Sequence, residues 1–340
     1  MNGYQRIRAA MEGRWPDNTP VMLHNFLMAA REAGYTQAQF RSDPATIADA
    51  FIRSVETYGY DGVLIDIDTA VLASAIGVPV DYPDDQPARS RGVLLENLTD
   101  VSELAPTKLL DSWRVETWLE SVRLLKQHFR DDVYIRGNCD QCPFSLAAMA
   151  RGLQNWMLDL LDEDGHEHVV ELLQYCTKVS RDMIALMAET GADMVSNGDS
   201  PAGPAMISPK MYREFALPYE KECVAEAHTH GLPYALHICG DTTAILADML
   251  ETGTDAVELD YLTDIQKAHD LCKDDVCFIG NIDPSGVLAF GSTDEVRRKT
   301  DDLLSVYRDS PRFILNAGCA IPAETPSENL RAMIETARMH

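Results

Sequence analysis

Eight short apolar or β-branched segments recur along the chain, each followed after a turn by a longer amphipathic stretch, and this repetition constrains the fold more than any other feature. They read VMLH (21–24), GVLIDI (62–67), VYIRG (133–137), ADMVSN (192–197), PYALHI (233–238), DAVELD (255–260), VCFIGN (276–281) and RFILN (312–316). Strands joined through helices pair in parallel, and eight of them can close a sheet on itself. The expected fold is therefore α/β, a (βα)8 TIM barrel, with residues 1–340 forming one domain. A chain of 340 residues could also hold two average domains, and an open doubly wound sheet is the competing architecture. That arrangement calls for a phosphate-binding turn after a strand, and neither GxGxxG nor a Walker sequence is present.

The connecting helices have local causes. EHVVELLQYCTKVSRDMIALMAETG repeats apolar residues at spacings of three and four and stops at Gly191, a C-cap residue. SPKMYREFALPYEKECVAEAHTHG is predicted as one helix, with Ser208 as N-cap, Pro209 in the first turn and Gly231 at its end. The stretch from about 69 to 131 contains the Pro- and Asp-rich DYPDDQPARSR and is predicted as an insertion between strands two and three, lying over the barrel mouth.

Charge narrows the partners. With 29 basic against 54 acidic residues the formal charge is -25, which repels phosphate backbones and anionic headgroups, so neither nucleic acid nor a membrane surface is expected. The first twenty residues mix charges without an apolar core, and no window approaches eighteen uncharged apolar residues; a cytoplasmic protein is expected. The eight cysteines are too sparse for a secreted disulfide framework, so each reads as a core thiol, a metal ligand or a nucleophile.

In a barrel of this kind, chemistry sits at the C-terminal ends of the strands. Those ends carry His24 and Asn25, Asp66 and Asp68, Asn138, Asn197 and Asp199, His237 and Cys239, Asp260, Asn281 and Asp283, then Asn316 and Cys319. His237 and Cys239, two positions apart on an extended strand, point the same way and can reach one ion. Cys319, beyond the eighth strand, faces them across the mouth. One imidazole and two thiols suit a borderline-soft ion, zinc first, and three protein ligands with a fourth position open is the catalytic arrangement. Asp260, nearest the rim, is the candidate fourth ligand, with Glu258 as its alternative on the same face. Zinc held by two thiolates is electron-rich, a mediocre activator of water and a good partner for a thiol, which coordination deprotonates. Alkyl transfer to sulfur follows from that ligand set more naturally than hydrolysis.

Other pairs carry blander expectations. Cys139 and Cys142 form a CxxC without a second pair and read as packing residues, as do Cys272 and Cys277. His228 and His230 suit the end of a helix dipole, and Tyr212 and Tyr219 sit at packing spacing.

The segment HICGDTTAIL resembles the uroporphyrinogen decarboxylase superfamily, in particular its zinc methyltransferase branch of methylcobalamin:coenzyme M type. The likeness extends through RGNCDQCPFSLAAMARG, GDSPAGPAMISPKMYREFALPY, FIGNIDPSGVLAFGSTDEV and NAGCAIPAETPSENLRAMIETAR, nearly the full length. The resemblance implies a (βα)8 barrel, zinc on His237, Cys239 and Cys319, and a zinc-bound thiol that exchanges a methyl group with a methylcobalamin corrinoid carried on a partner protein. No DxHxxG corrinoid-binding signature is present, so the corrinoid is expected to arrive on that partner. Asp199 and Asn197 are the catalytic candidates, and Asn138, Arg136, Asn281 and His24 the substrate-binding ones, by strand-end position and resemblance. Coenzyme M carries a sulfonate, for which Arg136 is a candidate partner, although an inward arginine would equally pair with Asp66 or Asp199.

The first strand, PVMLHNFLMAAREAG, lacks the Arg-rich motif with which the decarboxylases grip carboxylates, which argues against porphyrinogen decarboxylation. Three alternatives stand beside the leading one: a demethylase that takes a methyl group from an ether or other donor and loads a corrinoid protein, a metal-free decarboxylase, and a non-catalytic barrel that binds a corrinoid or thiol.

Overall fold

A computed structural model describes all 340 residues, Met1–His340. The eight apolar segments become the strands β1 (Met22–Leu23), β2 (Gly62–Ile65), β3 (Tyr134–Gln141), β4 (Met194–Gly198), β5 (Tyr234–Ile238), β6 (Ala256–Leu259), β7 (Cys277–Ile282) and β8 (Phe313–Ala317). All pair in parallel and in chain order. A bridge between Val21 and Leu315 joins the last strand to the first and brings the sheet round into a barrel. Such strands are covered on both faces, which is why they read as apolar runs instead of alternating.

Side chains two residues apart on a strand share a face, so each strand contributes a lower and an upper inward residue. The lower layer is apolar: Met22, Tyr134, Met194, Ala235, Ala256 and Ile314 cluster with Ile7 and Ala10 of helix α1 (Gly3–Met11). That helix, which starts at a capping box formed by Asn2 and Gln5, plugs the N-terminal end of the barrel. Two residues further along the same strands the inward positions turn polar, at Arg136, Ser196, His237, Glu258 and Asn316. A separate cluster of 89 buried apolar residues lies between sheet and helices, so packing energy comes mainly from outside the barrel and its upper interior is free for polar groups.

Two sequence expectations are corrected. The segment 208–231 is two helices, Pro209–Phe215 and Leu217–Thr229, broken at Ala216, whose φ is stretched to -117°. The cause is Pro218, which lacks an N–H and crowds the preceding turn. The insertion after β2 is also shorter than expected. Trp113–Phe129 is the barrel's own helix leading into β3, anchored by a Trp118 Nε1–H bond to the Ile65 carbonyl at 3.0 Å. The true insertion holds a short helix, Val71–Ala75, and a hairpin of Val80–Asp81 with Arg89–Ser90. It is pinned to the rim where Asp68 accepts from Arg41 at 2.7 Å and from the Ala88 N–H at 2.9 Å, which brings Pro87 to the edge of the central cavity.

Candidate metal centre

His237, Cys239 and Cys319 meet at the mouth, their ligand atoms all within 4.8 Å of one another. Two glycines make this approach possible. Gly240, at φ +83°, turns the chain sharply after Cys239 and donates its N–H to Asp260 Oδ2 at 3.0 Å. Gly318 lies so close to the turn after β6 that a Cβ there would stand 2.7 Å from the Tyr261 nitrogen, so only glycine lets the Cys319 loop reach this position.

The donor geometry fits zinc. The sulfurs of Cys239 and Cys319 are 3.8 Å apart, the edge expected of a tetrahedron with Zn–S bonds of about 2.3 Å. His237 Nδ1 donates to the Glu258 carbonyl at 3.0 Å, which leaves Nε2 turned toward Cys239 Sγ at 3.1 Å. The three groups share protons strongly. The hydrogen bond from Cys319 and the neighbouring imidazolium outweigh burial and hold the Cys239 thiol down at about 3. Burial pulls His237 down, but the Cys239 thiolate more than offsets it and lifts the imidazole to about 9. Donation to Cys239, together with burial, raises the Cys319 thiol. The metal-free protein thus holds an imidazolium–thiolate pair beside a neutral thiol.

A cavity of about 200 Å³ opens beside these ligands, and its walls include His24, Asp66, Arg136, Asn138, Asn197 and Glu258. His24 Nε2 pairs with Asp66 Oδ2 at 2.9 Å. Arg136, expected to meet a substrate anion, Asp66 or Asp199, is instead buried against the Glu258 carboxylate. Burial pushes Glu258 up, and the attraction of Arg136 overrides it, so the carboxyl is held below its ordinary range. Asn138 accepts the Asp140 N–H at 3.2 Å. Asn197 donates to the carbonyls of Cys139 and Gln141 and accepts from Tyr234 at 3.0 Å, so its amide braces the end of β3.

Three expected site residues are not brought to this cavity. Asp199 is fully buried behind the wall, where it accepts from the Ser145 N–H at 2.8 Å at the start of helix Pro143–Arg151. Burial raises its carboxyl to about 6 despite that bond and a second one from the Ser145 hydroxyl. Asn281 donates to the Asp260 carbonyl at 3.1 Å and faces a different rim cavity with Tyr261 and Val287. Asp260 commits both oxygens to main-chain N–H groups, of Gly240 and Leu262, each at 3.0 Å. Glu258 approaches the centre through its carbonyl, with its carboxylate engaged by Arg136 and by Asn316 at 3.3 Å.

Sequence reasoning passed over Asp140 and Ser196. Both line the cavity. Ser196 follows from the period of two, on the same face as Met194. Asp140 could not be found that way, because its φ of +62° and a register break between Asn138 and Gln141 interrupt the alternation. The structural expectations for the other thiols hold: Cys139, Cys142, Cys272 and Cys277 are buried.

The family model for uroporphyrinogen decarboxylase (URO-D) matches residues 3–340. Among curated proteins, the methylcobamide:CoM methyltransferase MtbA of Methanosarcina acetivorans is 31% identical over 296 residues, covering 86% of this chain and 83% of that protein. A uroporphyrinogen decarboxylase of Chlorobium phaeovibrioides is 27% identical over 306 residues, covering 86% and 83%. Among solved structures, a methyltransferase from Methanosarcina mazei superposes with a TM-score of 0.90 at 21% identity, covering 99% of this chain and 98% of that one.

Proposed function

The chain belongs to the uroporphyrinogen decarboxylase (URO-D) family, and we propose that within it the protein is an enzyme that moves a methyl group between a corrinoid and a thiol. The observation that carries this reading is the pair of sulfurs 3.8 Å apart beside an imidazole nitrogen, open to a small cavity. His237, Cys239 and Cys319 would hold zinc, which when bound keeps an incoming thiol deprotonated at neutral pH. The remaining work falls to the chain. The Glu258 carbonyl aims the imidazole, Gly240 and Gly318 bring the two cysteine loops together, and Asn197 braces the wall facing them.

The cavity, about 200 Å³, has room for roughly seven waters. A small thiol fits it and a corrin ring does not. The corrinoid therefore meets the thiol at the mouth, and we assign it to a separate partner protein. In transfer to sulfur, an S–C bond forms as the methyl–cobalt bond breaks; its electron pair stays with cobalt, and the thiol proton passes to solvent. Porphyrinogen decarboxylation is disfavoured because the sole arginine lining the cavity is neutralised by Glu258.

The test is to incubate zinc-loaded protein with methylcobalamin and a series of small thiols, following the visible absorbance and the methylated thiol by mass spectrometry. Thiol-dependent demethylation that is lost in Cys239→Ser is the expected result. Methylcobalamin that stays intact with every thiol would contradict the reading.

A further inference from the structure

We propose that the thiol taken by this cavity carries a hydrogen-bond-donating tail, a hydroxyl or an ammonium, and not a sulfonate or carboxylate; the inference rests on the reading of the chain as a corrinoid–thiol methyltransferase. Two independent observations lead there.

The first is charge. Asp66, Asp140 and Glu258 line the cavity, each at least 98% buried, against Arg136 as the one lining arginine and no lysine; burial lifts the Asp140 carboxyl to about 7, which leaves Asp66 and Glu258 as the full negative charges. Arg136 touches the Glu258 carboxylate directly, and His24 is bonded to Asp66 at 2.9 Å. The charge of Arg136 is already offset by Glu258, and an anionic tail would bring another negative charge beside the buried carboxylates of Asp66 and Glu258, where little solvent screens the repulsion.

The second is hydrogen bonding. His24 Nδ1, Asp66 Oδ1, Ser196 Oγ and Arg136 Nε are buried in the walls without a hydrogen-bond partner. Buried polar groups are almost always satisfied, so these atoms mark where a ligand's polar end belongs. A carboxylate oxygen such as Asp66 Oδ1 can only accept. A hydroxyl or ammonium supplies the hydrogen it lacks, and a hydroxyl, unlike an ammonium, also has lone pairs to accept from a donor such as Arg136 Nε. A sulfonate has no hydrogen to give and would leave Asp66 Oδ1 unpaired. In this respect the chain departs from the relatives whose printed names specify CoM, a thiol with a sulfonate tail.

The experiment compares kcat/KM of the zinc-loaded enzyme with methylcobalamin for 2-aminoethanethiol, 2-mercaptoethanol and 2-mercaptoethanesulfonate. The amine or the alcohol is expected to exceed the sulfonate by about tenfold or more. Asp66→Asn, with Asp140→Asn as the second variant should the first fail to fold, should narrow that ratio while the zinc content stays unchanged. Equal or better use of the sulfonate by the wild-type enzyme overturns the inference and leaves the methyltransferase reading standing. Methylation of none of the three by zinc-loaded protein overturns both.

Discussion

At the scale of single residues, the centre is built from backbone contacts as much as from ligands. Cys319 arrives because Gly318 lies where a side chain would collide with the Tyr261 nitrogen, and His237 is aimed by a carbonyl. Gly318→Ala should therefore weaken zinc binding by roughly tenfold or more, measured by competition with a chromophoric chelator, while circular dichroism stays that of the wild type. Unchanged affinity would mean that the loop accommodates the methyl group. Protonation gives a second prediction. In the metal-free protein His237, raised to about 9, is protonated at neutral pH; Cys239, lowered to about 3, is a thiolate; and Cys319, raised, is a thiol. Ligation needs a neutral imidazole and two thiolates. Zinc uptake at pH 7 should then expel about two protons per ion, one from His237 and one from Cys319, and affinity should climb steeply as pH rises until His237 has lost its proton. A pH-stat titration in weak buffer measures the release; a value below one proton would contradict the pairing.

At the scale of elements, the barrel was legible because each strand is an uninterrupted apolar run followed by a helix, and every expected segment overlaps an observed strand. The convergence of His237, Cys239 and Cys319 was legible for a related reason: HxC places two donors on one face whatever the register. What could not be read depends on contacts between distant segments. The choice of Glu258 as partner of Arg136 requires the register of four consecutive strands, and the engagement of Asp260 by Gly240 requires the shape of two loops. Pro218 was a visible signal that the helix beginning at Pro209 would end early, and the spacing of apolar residues masked it. Helix α1 carries no such signal of its role. Its inward residues Ile7 and Ala10 close the barrel floor. Ile7→Ala should cost about 3 kcal/mol in urea unfolding with zinc stoichiometry unchanged, since the floor and the centre lie at opposite ends of the strands; loss of zinc in the folded variant would show that the two ends are coupled.

At the scale of the whole molecule, the two ends of the chain are tied beneath the barrel. Asp61 is buried and accepts from Arg6 at 3.0 Å, from Arg338 at 2.7 Å and from the Val21 N–H at 2.8 Å. Removing that carboxylate leaves the buried Val21 N–H unpaired, while Arg6 keeps Asp17 and Arg338 keeps the Gly59 carbonyl, so Asp61→Ala should destabilise the fold by roughly 1–3 kcal/mol, read as a lowered midpoint in denaturant; a loss near zero would mean that the termini are held by packing alone. With the floor closed by α1 and the sides by helices, the route for methyl transfer is the mouth, where His237, Cys239 and Cys319 stand. The most direct test of the account is therefore metal content by mass spectrometry on purified protein and on the variants His237→Ala and Cys319→Ser. The account predicts about one zinc per chain, lost in both variants while each keeps its fold. Protein free of zinc after metal-replete expression, or variants that retain it, would contradict the assignment of His237, Cys239 and Cys319 as the metal centre.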